Sequence, residues 1–405
     1  MSAAENGGAW DAMVAGGGPG GSTVAAHLAR QGFSVLLCDA ARCPRHKICG
    51  EYLPPAAATA FERLGVAEHV AALRPLRPAG MAVIAPGGAT VLGRYRGDAA
   101  AGFALRRYDL DAVLLRHAES CGVTVRQGTR VAGFERDRDG SFLIELAPGA
   151  IRVRARALIG ADGRNSLVAR RLGLRRAERR HRRWAVMGHY AGVRLPSGHG
   201  EMIVTPYGYC GLNPLPGGLC NVCIVVDPRR RGGRIPGRRD LERFLEAALA
   251  SVPATRERMA TARRAGPLLA AGPIACKAEG VVTDGALLVG DAAGFFDPFT
   301  GEGIHMALRG GEMAAETLGE SLRRDDLRAT DLRPYEARRR AAFDGRLRLD
   351  RLLQAILLSP RLTDWTAGKL ARDQRLADLL ARVTGDMAAA GELLRPRFVA
   401  RLLRA

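Results

Sequence analysis

The chain has 405 residues, a length that predicts two or three closely packed domains rather than one simple core. Its formal net charge of +20 comes almost entirely from arginine, which indicates an arginine-favouring genome composition or else an acidic substrate, a phosphate-bearing cofactor or an anionic membrane surface. The scattered arginines, the 5% aromatic content and the lack of a long apolar run argue against nucleic acid as a partner and against a membrane-spanning helix.

The N-terminal residues Met1–Asn6 lack the basic and apolar regions of a secretory signal, so we expect a cytoplasmic protein whose eight cysteines are free thiols. Cys220 and Cys223 have the spacing of a redox pair. They fall in a predicted strand, however, where an offset of three residues places their side chains on opposite faces. No second pair completes a zinc site, so no metal site is predicted.

A glycine-rich turn follows the first predicted strand. Residues 12–40 are predicted to form a strand, a helix and a strand, and Gly16, Gly18 and Gly21 fit the spacing G-x-G-x-x-G. Glycine permits the tight turn, the approach of the backbone to a pyrophosphate and the packing of the helix on the sheet, while the helix N-terminus offers N–H groups to phosphates. Asp39, at the end of the second strand, can bind a ribose hydroxyl. The motif predicts a dinucleotide but leaves its identity open.

The middle of the chain alternates between segments with a helical pattern and segments with a strand pattern. A polar loop over residues 41–55 precedes a predicted helix over 56–64, and a second helix is predicted over 107–117. Short antiparallel strands outside the nucleotide domain are predicted over 79–105. Alternating apolar residues over 142–159 predict a hairpin.

Residues 184–227 predict a second, antiparallel domain, which is followed by helices over 238–262. A strand over 286–289 leads into another glycine-rich turn, and the chain is predicted to be helical from about 303 onward. Five apolar residues at helical spacing form one stripe there: Leu349, Leu352, Leu353, Ile356 and Leu357. The stripe is either a packing face or, with its basic flanks, a peripheral membrane contact.

Three separated motifs carry a family resemblance: the opening glycine motif with Asp39, the Asp162-Gly163 motif within residues 157–170, and the Gly290-Asp291 motif within residues 290–304. In this order they resemble the fingerprints of the para-hydroxybenzoate-hydroxylase-type (class A) flavoprotein monooxygenase superfamily. The segment around Arg107 is similar to a helix that this family uses near the flavin. The resemblance covers most of the chain and implies FAD as the cofactor.

The implied fold is α/β, with a Rossmann-like FAD-binding domain interleaved with an antiparallel β-sheet substrate domain and a C-terminal helical region. The FAD-binding parts are expected at residues 8–75, 105–183 and 271–335. The substrate-domain parts are expected at residues 76–104 and 184–270, and the helical region at residues 336–405.

The resemblance also implies the residues that bind FAD: Gly16, Gly18, Gly21, Asp39, Arg107, Asp162, Gly163, Gly290, Asp291, Gly301 and Gly303. Asp291 is expected to bind ribityl or ribose hydroxyls, and the N–H groups of Gly301 and Gly303 are expected to stabilise negative charge on the reduced ring. Asp162 either lies near the groove for a nicotinamide or caps a strand-to-helix junction. Because the chain has one glycine fingerprint, NADH or NADPH is expected only as a transient reductant.

The loop Lys47–Leu53 resembles loops in geranylgeranyl-reductase-like flavoproteins and in related halogenases and tailoring hydroxylases. Within it, Cys49 is predicted to be catalytic near the flavin ring, with a small residue in a tight turn as the alternative. Pro298 is predicted to form a wall beside the ring edge. Four residues are candidate bases: Tyr209, Tyr207, His46 and His189. Tyr207 and Tyr209 stand where the halogenase signature has tryptophans and where isoprenoid reductases have a similar aromatic strand. The loss of both tryptophans disfavours halogenation and, to a smaller extent, the reductase.

The leading hypothesis is an FAD-dependent monooxygenase that uses NAD(P)H and O₂ to hydroxylate or epoxidise a lipophilic aromatic or prenylated small molecule in secondary metabolism. The alternative is a geranylgeranyl-reductase-like enzyme that saturates isoprenoid double bonds, and a flavin halogenase is less favoured. A substrate carried on an acyl carrier protein also stays open, because such carriers are acidic and this surface is basic.

Overall fold

The computed structural model describes residues 9–95, 101–176, 178, 182–196, 198–230, 237 and 240–405. The prediction on Met1–Asn6 lies outside the described residues, as do the first two residues of the helical segment predicted over 238–262. No helix in the part that is described has the length and the apolar character needed to span a bilayer.

The strands within these residues are, in chain order, β1 (Trp10–Ala15), β2 (Val35–Asp39), β3 (Tyr52–Leu53), β4 (Gly80–Ile84), β5 (Thr90–Arg94), β6 (Phe103–Ala104), β7 (Thr124–Gln127), β8 (Arg130–Arg136), β9 (Phe142–Ala147), β10 (Ile151–Gly160), β11 (Arg175–Arg176), β12 (Trp184–Ala191), β13 (Gly200–Thr205), β14 (Gly208–Leu215), β15 (Leu219–Val226), β16 (Arg263–Arg264), β17 (Leu269–Ala271), β18 (Lys277–Ala278), β19 (Val282–Thr283) and β20 (Ala286–Leu288).

The helices of the same residues are α1 (Pro19–Arg30), α2 (Ala57–Leu64), α3 (Ala67–Ala72), α4 (Arg107–Ser120), α5 (Leu167–Arg171), α6 (Leu241–Ala250), α7 (Pro253–Met259), α8 (Gly303–Arg324), α9 (Ala329–Leu358), α10 (Pro360–Arg372), α11 (Gln374–Thr384) and α12 (Pro396–Arg404). The predicted helices over 56–64 and 107–117 are therefore present as α2 and α4.

The first sheet has a parallel centre in the order β20-β10-β1-β2-β7, with β19 antiparallel at one edge. Its central strands are buried on both faces, which explains the apolar runs Ala12–Ala15 in β1 and Val35–Cys38 in β2. The predicted hairpin is formed by β9 and the first half of β10, whose second half continues into the parallel centre. Because parallel strands end at the same edge of a sheet, the turns after β1, β10 and β20 meet there.

The second sheet has the order β16-β12-β15-β14-β13-β4-β5. Strands β4 and β5 come from the segment predicted over 79–105, so the two domains interleave and the predicted α/β architecture is confirmed. Strand β4 pairs with β13 in parallel rather than antiparallel fashion. The chain between these strands passes through the first domain, and such a crossover allows a parallel return.

The C-terminal helices cover both domains. Helix α9 runs unbroken across the predicted boundary between residues 335 and 336. Within the apolar stripe of α9, Leu349 and Leu357 are buried, whereas Leu352 is 45% exposed. Most of that stripe is therefore a packing face.

Candidate functional site

The turn after β1 forms an open cradle. Gly16 has a φ of 107°, and the N–H of Gly17 donates to Asp39 Oδ2 at 2.8 Å. Helix α1 begins just beyond, and no side chain of the described residues caps its N-terminus. A Cβ placed on Gly18 would meet no atom within 4 Å. The space in front of this helix end is therefore free for a phosphate group.

A chain of ion pairs connects Asp39 with Arg107. Arg45 lies 3.0 Å from Asp39 and 2.7 Å from Asp111. The fully buried Asp111 also receives a bidentate pair of bonds from Arg107, at 2.6 and 2.8 Å. Asp111, four residues after Arg107 on α4, was not among the residues predicted for the site. Its contacts show that it orients both arginines.

Asp291 follows β20 at the same edge of the sheet. Burial raises the pKa of Asp291, and the nearby cations Arg107, Arg164 and Lys47 oppose this rise. In the described part of the chain no hydrogen bond reaches its carboxylate. The oxygens are therefore available to hydroxyl groups of a cofactor.

Asp162 has the geometry of a helix cap. Its Oδ2 accepts from the N–H of Leu167 at 2.7 Å and from that of Val168 at 3.3 Å, at the start of α5. Its Oδ1 is buried and has no partner among the described residues. The cap is thus present, while binding of a cofactor by Asp162 and Gly163 stays a prediction.

The loop Lys47–Leu53 is held by Glu51, a residue that the sequence did not single out. Glu51 is 1% exposed and adopts a φ of 55°. Its carboxylate accepts from the N–H of Arg107 at 2.9 Å, from Asn221 Nδ2 at 2.9 Å and from His189 Nε2 at 2.6 Å. Asn213 adds bonds to the loop carbonyls. His189, a candidate base in the sequence, is thus occupied in anchoring this loop.

Cys49 lies next to Glu51 and Arg107 in this anchored loop. The N–H of Glu51 donates to Cys49 Sγ at 3.3 Å. Burial raises the pKa of Cys49, and Arg107 acts against it. The thiol is therefore neutral at ordinary pH and carries a proton.

Asp297 forms a second buried centre, beside Pro298. Tyr209 donates its phenol to Asp297 at 2.6 Å, and Gln354 Nε2 donates at 2.7 Å. Arg183 forms an ion pair with the same carboxylate. Tyr209 is 3% exposed, and its hydroxyl is occupied by the bond to Asp297. The catalytic roles of Tyr209 and Pro298 stay predictions.

The remaining candidate bases lie elsewhere. Tyr207 packs edge-on against Phe244, at 5.9 Å between ring centroids, in the core on the other face of the second sheet. His46 contacts the rings of Tyr108 and His189, at 4.9 and 5.9 Å. Of the four candidate bases, His189 and Tyr209 are engaged in hydrogen bonds and Tyr207 is packed in a core, so in the contacts described only His46 has neither arrangement. These contacts therefore do not favour a base that activates a phenol.

The Cys49 loop and the segment 295–303 converge on one face of the second sheet. Ile48 from the loop packs with Phe295 and Phe299 from the segment, against Met187 and Cys223 of the sheet. The predicted position of the flavin ring, between the Cys49 loop and the Pro298–Gly303 turn, is thus bordered by apolar side chains. Cys220 belongs to the core on the opposite face, and all eight cysteines are free, as predicted.

Where the Gly290–Asp291 turn meets the segment 295–303, acidic residues line a cavity of about 30 Å³, large enough for one water molecule. They are Asp291, Asp297, Glu302 and Asp350. Burial raises the pKa of Asp350 to about 7, with a hydrogen bond to Thr300 opposing the rise. Despite these acids, no group suited to a metal ion occurs among the described residues.

We expect Asp350→Asn to stabilise the protein above pH 7. The ordinary pKa of this carboxyl is 3.8 and its folded pKa is about 7, so the folded protein holds a proton that the unfolded chain loses as the pH rises between these values. Stability therefore falls across this interval, by about 1.4 kcal/mol per pKa unit. Asparagine mimics the protonated form and should restore about 2–4 kcal/mol at pH 8 but little at pH 4.

Urea unfolding of both proteins between pH 4 and 8 measures this difference. The exposed Asp344, on the same helix, supplies the control Asp344→Asn, which should leave the free energy of unfolding unchanged at both pH 4 and pH 8. Parallel pH profiles for Asp350→Asn and the unaltered protein would contradict the expectation.

Comparison with known proteins places the chain among flavoenzymes. The family described as "FAD binding domain" matches residues 9–348. Menaquinone reductase of Mycolicibacterium smegmatis is 29% identical over 406 residues, covering 93% of this chain and 91% of that protein. Digeranylgeranylglycerophospholipid reductase of Methanocaldococcus jannaschii is 27% identical, covering 81% of this chain and 82% of that protein.

Halogenating enzymes are similar as well. The flavin-dependent halogenase armH1 of Armillaria mellea is 30% identical over 77% of this chain, which spans 65% of the halogenase. Among solved structures, the flavin-dependent brominase Bmp2 has a TM-score of 0.81 at 22% identity, covering 98% of both chains. At that identity the likeness shows a common fold.

Proposed function

Because the chain belongs to the FAD-binding-domain family of flavoenzymes, we propose that it is an FAD-dependent reductase that saturates a carbon–carbon double bond of a lipophilic, prenylated molecule. The observation that carries this proposal is the position of Cys49. Its neutral thiol lies beside Arg107, in an anchored loop at the edge of an apolar region. The names of the two reductase relatives refer to prenylated lipids, which supports the substrate class.

The residues at the sheet edge fit FAD. The open space at Gly18 and the uncapped start of α1 suit a pyrophosphate, and the carboxylate oxygens of Asp39 and Asp291 can accept from ribose and ribityl hydroxyls. Helix α8 begins at Gly303, so the positive end of its dipole would lie near the expected ring position. When bound and reduced, FAD supplies a hydride, and NADH or NADPH is the proposed source of that hydride.

Cys49 would act as the general acid. As the π bond of the double bond breaks, one carbon would take the hydride, and the π electron pair would form the bond between the other carbon and the proton of the thiol. The electron pair of the S–H bond stays on sulfur, where the neighbouring Arg107 stabilises the thiolate until water returns a proton. The side chains of Ile48, Phe295 and Phe299 would contact the prenyl chain and exclude water.

We expect Cys49→Ala to lower the rate of double-bond reduction by about 10²–10⁴-fold, because the proton donor is lost. FAD content and thermal stability should stay near those of the unaltered protein, since Cys49 as a whole residue is half-buried and alanine removes only the sulfur atom. The measurement is anaerobic turnover of a prenylated quinone with NADH or NADPH, followed by mass spectrometry for a gain of two hydrogens. The buried, catalytically remote Cys220→Ala serves as the control.

A monooxygenase is the second candidate. The apolar surroundings formed by Phe295, Phe299 and Met187 favour it, because oxygen transfer from a flavin requires exclusion of water. Oxygen uptake matched to NAD(P)H, with a hydroxylated or epoxidised product and no anaerobic product, would establish this reaction and overturn the reductase. A product that requires added bromide or chloride would indicate a halogenase instead.

A further inference from the structure

The C-terminal helices expose an unusual share of large apolar side chains. Of the nine such side chains that the described residues expose, seven lie between residues 352 and 403. On α10, Leu362 is 41% and Trp365 is 44% exposed, and on α12 Val399 is 42% and Leu403 is 60% exposed. Isolated exposed leucines need no explanation, but a concentration in one region does.

These four residues, called here the α10–α12 patch, belong to one surface. Lys369 joins the two helices, because its Nζ lies 5.9 Å from the centroid of the Trp365 ring and donates to the carbonyl of Leu403 at 3.2 Å. Helix α12 turns Phe398 and Leu402 inward, where they pack against the core of α10 and α11. That orientation leaves Val399 and Leu403, one turn apart, on the outer side.

The surroundings of the patch are basic. Residues 351–405 contain ten arginines and lysines against five acidic residues. Arg361 and Arg375 are exposed on α10 and α11, and Arg404 is exposed at the end of α12. Three of the acids already pair with basic residues, since Asp373 contacts Arg401, Glu392 contacts Arg395 and Arg397, and Asp386 contacts Arg346. The electrostatic field at this surface is therefore positive.

We propose that the α10–α12 patch docks on the surface of an anionic phospholipid bilayer. Trp365 and the leucines would enter the headgroup boundary, while the surrounding arginines bind lipid phosphates. A second copy of the chain is a poorer occupant, because a symmetric contact would bring two basic rims together. The surface would place the enzyme where a prenylated substrate dissolves, but docking itself does not depend on the proposed reaction.

The test is sedimentation of the FAD-loaded protein with vesicles of phosphatidylglycerol and phosphatidylcholine, compared with vesicles of phosphatidylcholine alone. We expect at least about tenfold stronger binding to the anionic vesicles. Adding about 0.5 M NaCl should weaken this binding, because salt at that concentration screens charges that lie more than a few ångströms apart. The emission of tryptophan should shift to shorter wavelength on binding, and this shift should require Trp365.

The double variant Leu362→Ser/Trp365→Ser should lower the affinity for anionic vesicles about tenfold or more. The matched control is Leu76→Ser/Ile151→Ser, which removes two side chains of similar exposure, 40% and 48%, outside the C-terminal helices. FAD content and melting temperature verify folding of both. Equal effects of the two variants, or equal binding to neutral vesicles, would overturn the proposal. A dimer in ultracentrifugation that the patch variant abolishes, or binding to an acidic carrier protein in place of vesicles, would overturn it as well.

Discussion

Replacing Arg346 with methionine is expected to lower the free energy of unfolding by about 3–5 kcal/mol at pH 8, which is typical when one partner of a buried ion pair is removed. Arg346 is 8% exposed and forms ion pairs with Glu302 and Asp386, and it also donates to the carbonyl of Val383 at 3.2 Å. Methionine has a similar length and no charge. It leaves the 4% exposed Glu302 without its cation.

Glu302 immediately precedes α8, so the effect should extend to the flavin site. Burial raises the pKa of Glu302 well above its usual range, and Arg346 opposes this rise. The variant should therefore recover part of its stability at pH 5, where Glu302 takes up a proton, and it should release FAD more readily at pH 8. Chemical denaturation at both pH values and the fluorescence of released FAD measure these effects.

The double variant Arg346→Met/Glu302→Gln supplies the control. Removing both charges of the pair should return at least half of the lost stability, because Glu302 is then no longer a buried carboxylate without its cation. Asp386 keeps a partner in His305, whose Nε2 lies 2.8 Å away. If the double variant were less stable than Arg346→Met alone, loss of packing rather than loss of charge compensation would be the cause.

The pair Gly18→Ala and Gly21→Ala is expected to separate cofactor binding from folding. A Cβ on Gly21 would stand 1.9 Å from the carbonyl oxygen of Gly16, so α1 would have to move away from β1. We expect Gly21→Ala to lower the stability of the FAD-free protein by about 3 kcal/mol, the upper range for overpacking, and to abolish FAD binding.

Gly18→Ala is the matched comparison, because its Cβ would point into open space. The FAD-free variant should unfold like the unaltered protein, while its FAD affinity falls about tenfold or more, equivalent to at least about 1.4 kcal/mol. Thermal unfolding of the FAD-free proteins and fluorescence titration with FAD provide both readouts. An unchanged affinity of Gly18→Ala would show that the cofactor does not approach this turn.

Local patterns predicted the elements of the first domain well. The apolar runs of β1 and β2, the glycines between them and the acid at the end of β2 are signals contained within some thirty residues. The turn after β20 carried a similar local signal. These elements form from neighbouring residues, and the parallel sheet follows once each strand is covered by helices.

The anchoring of the Cys49 loop could not be predicted in the same way. Glu51 and His189 are 138 residues apart, and nothing in either segment identifies the other as its partner. His189 and Asn221 are register neighbours on β12 and β15, so their meeting with Glu51 depends on how the second sheet packs on the first. For the same reason the sequence predicted Tyr209 as a candidate base, whereas in the structure its hydroxyl donates to Asp297, a residue 88 positions away.

Helix α9 has a mechanical consequence for the whole molecule. The hydroxyl of Tyr335 donates to the carbonyl of Leu288 in the first sheet at 2.7 Å, Gln354 bonds to Asp297, and Arg230 of the second domain bonds to the carbonyl of Leu357. At 1.5 Å per residue, the part of α9 between Tyr335 and Gln354 is a rod about 28 Å long. A hinge rotation between the domains would break the contacts at one end of this rod. We therefore expect a substrate to enter by the movement of loops, and we expect the two domains to unfold as a single cooperative unit.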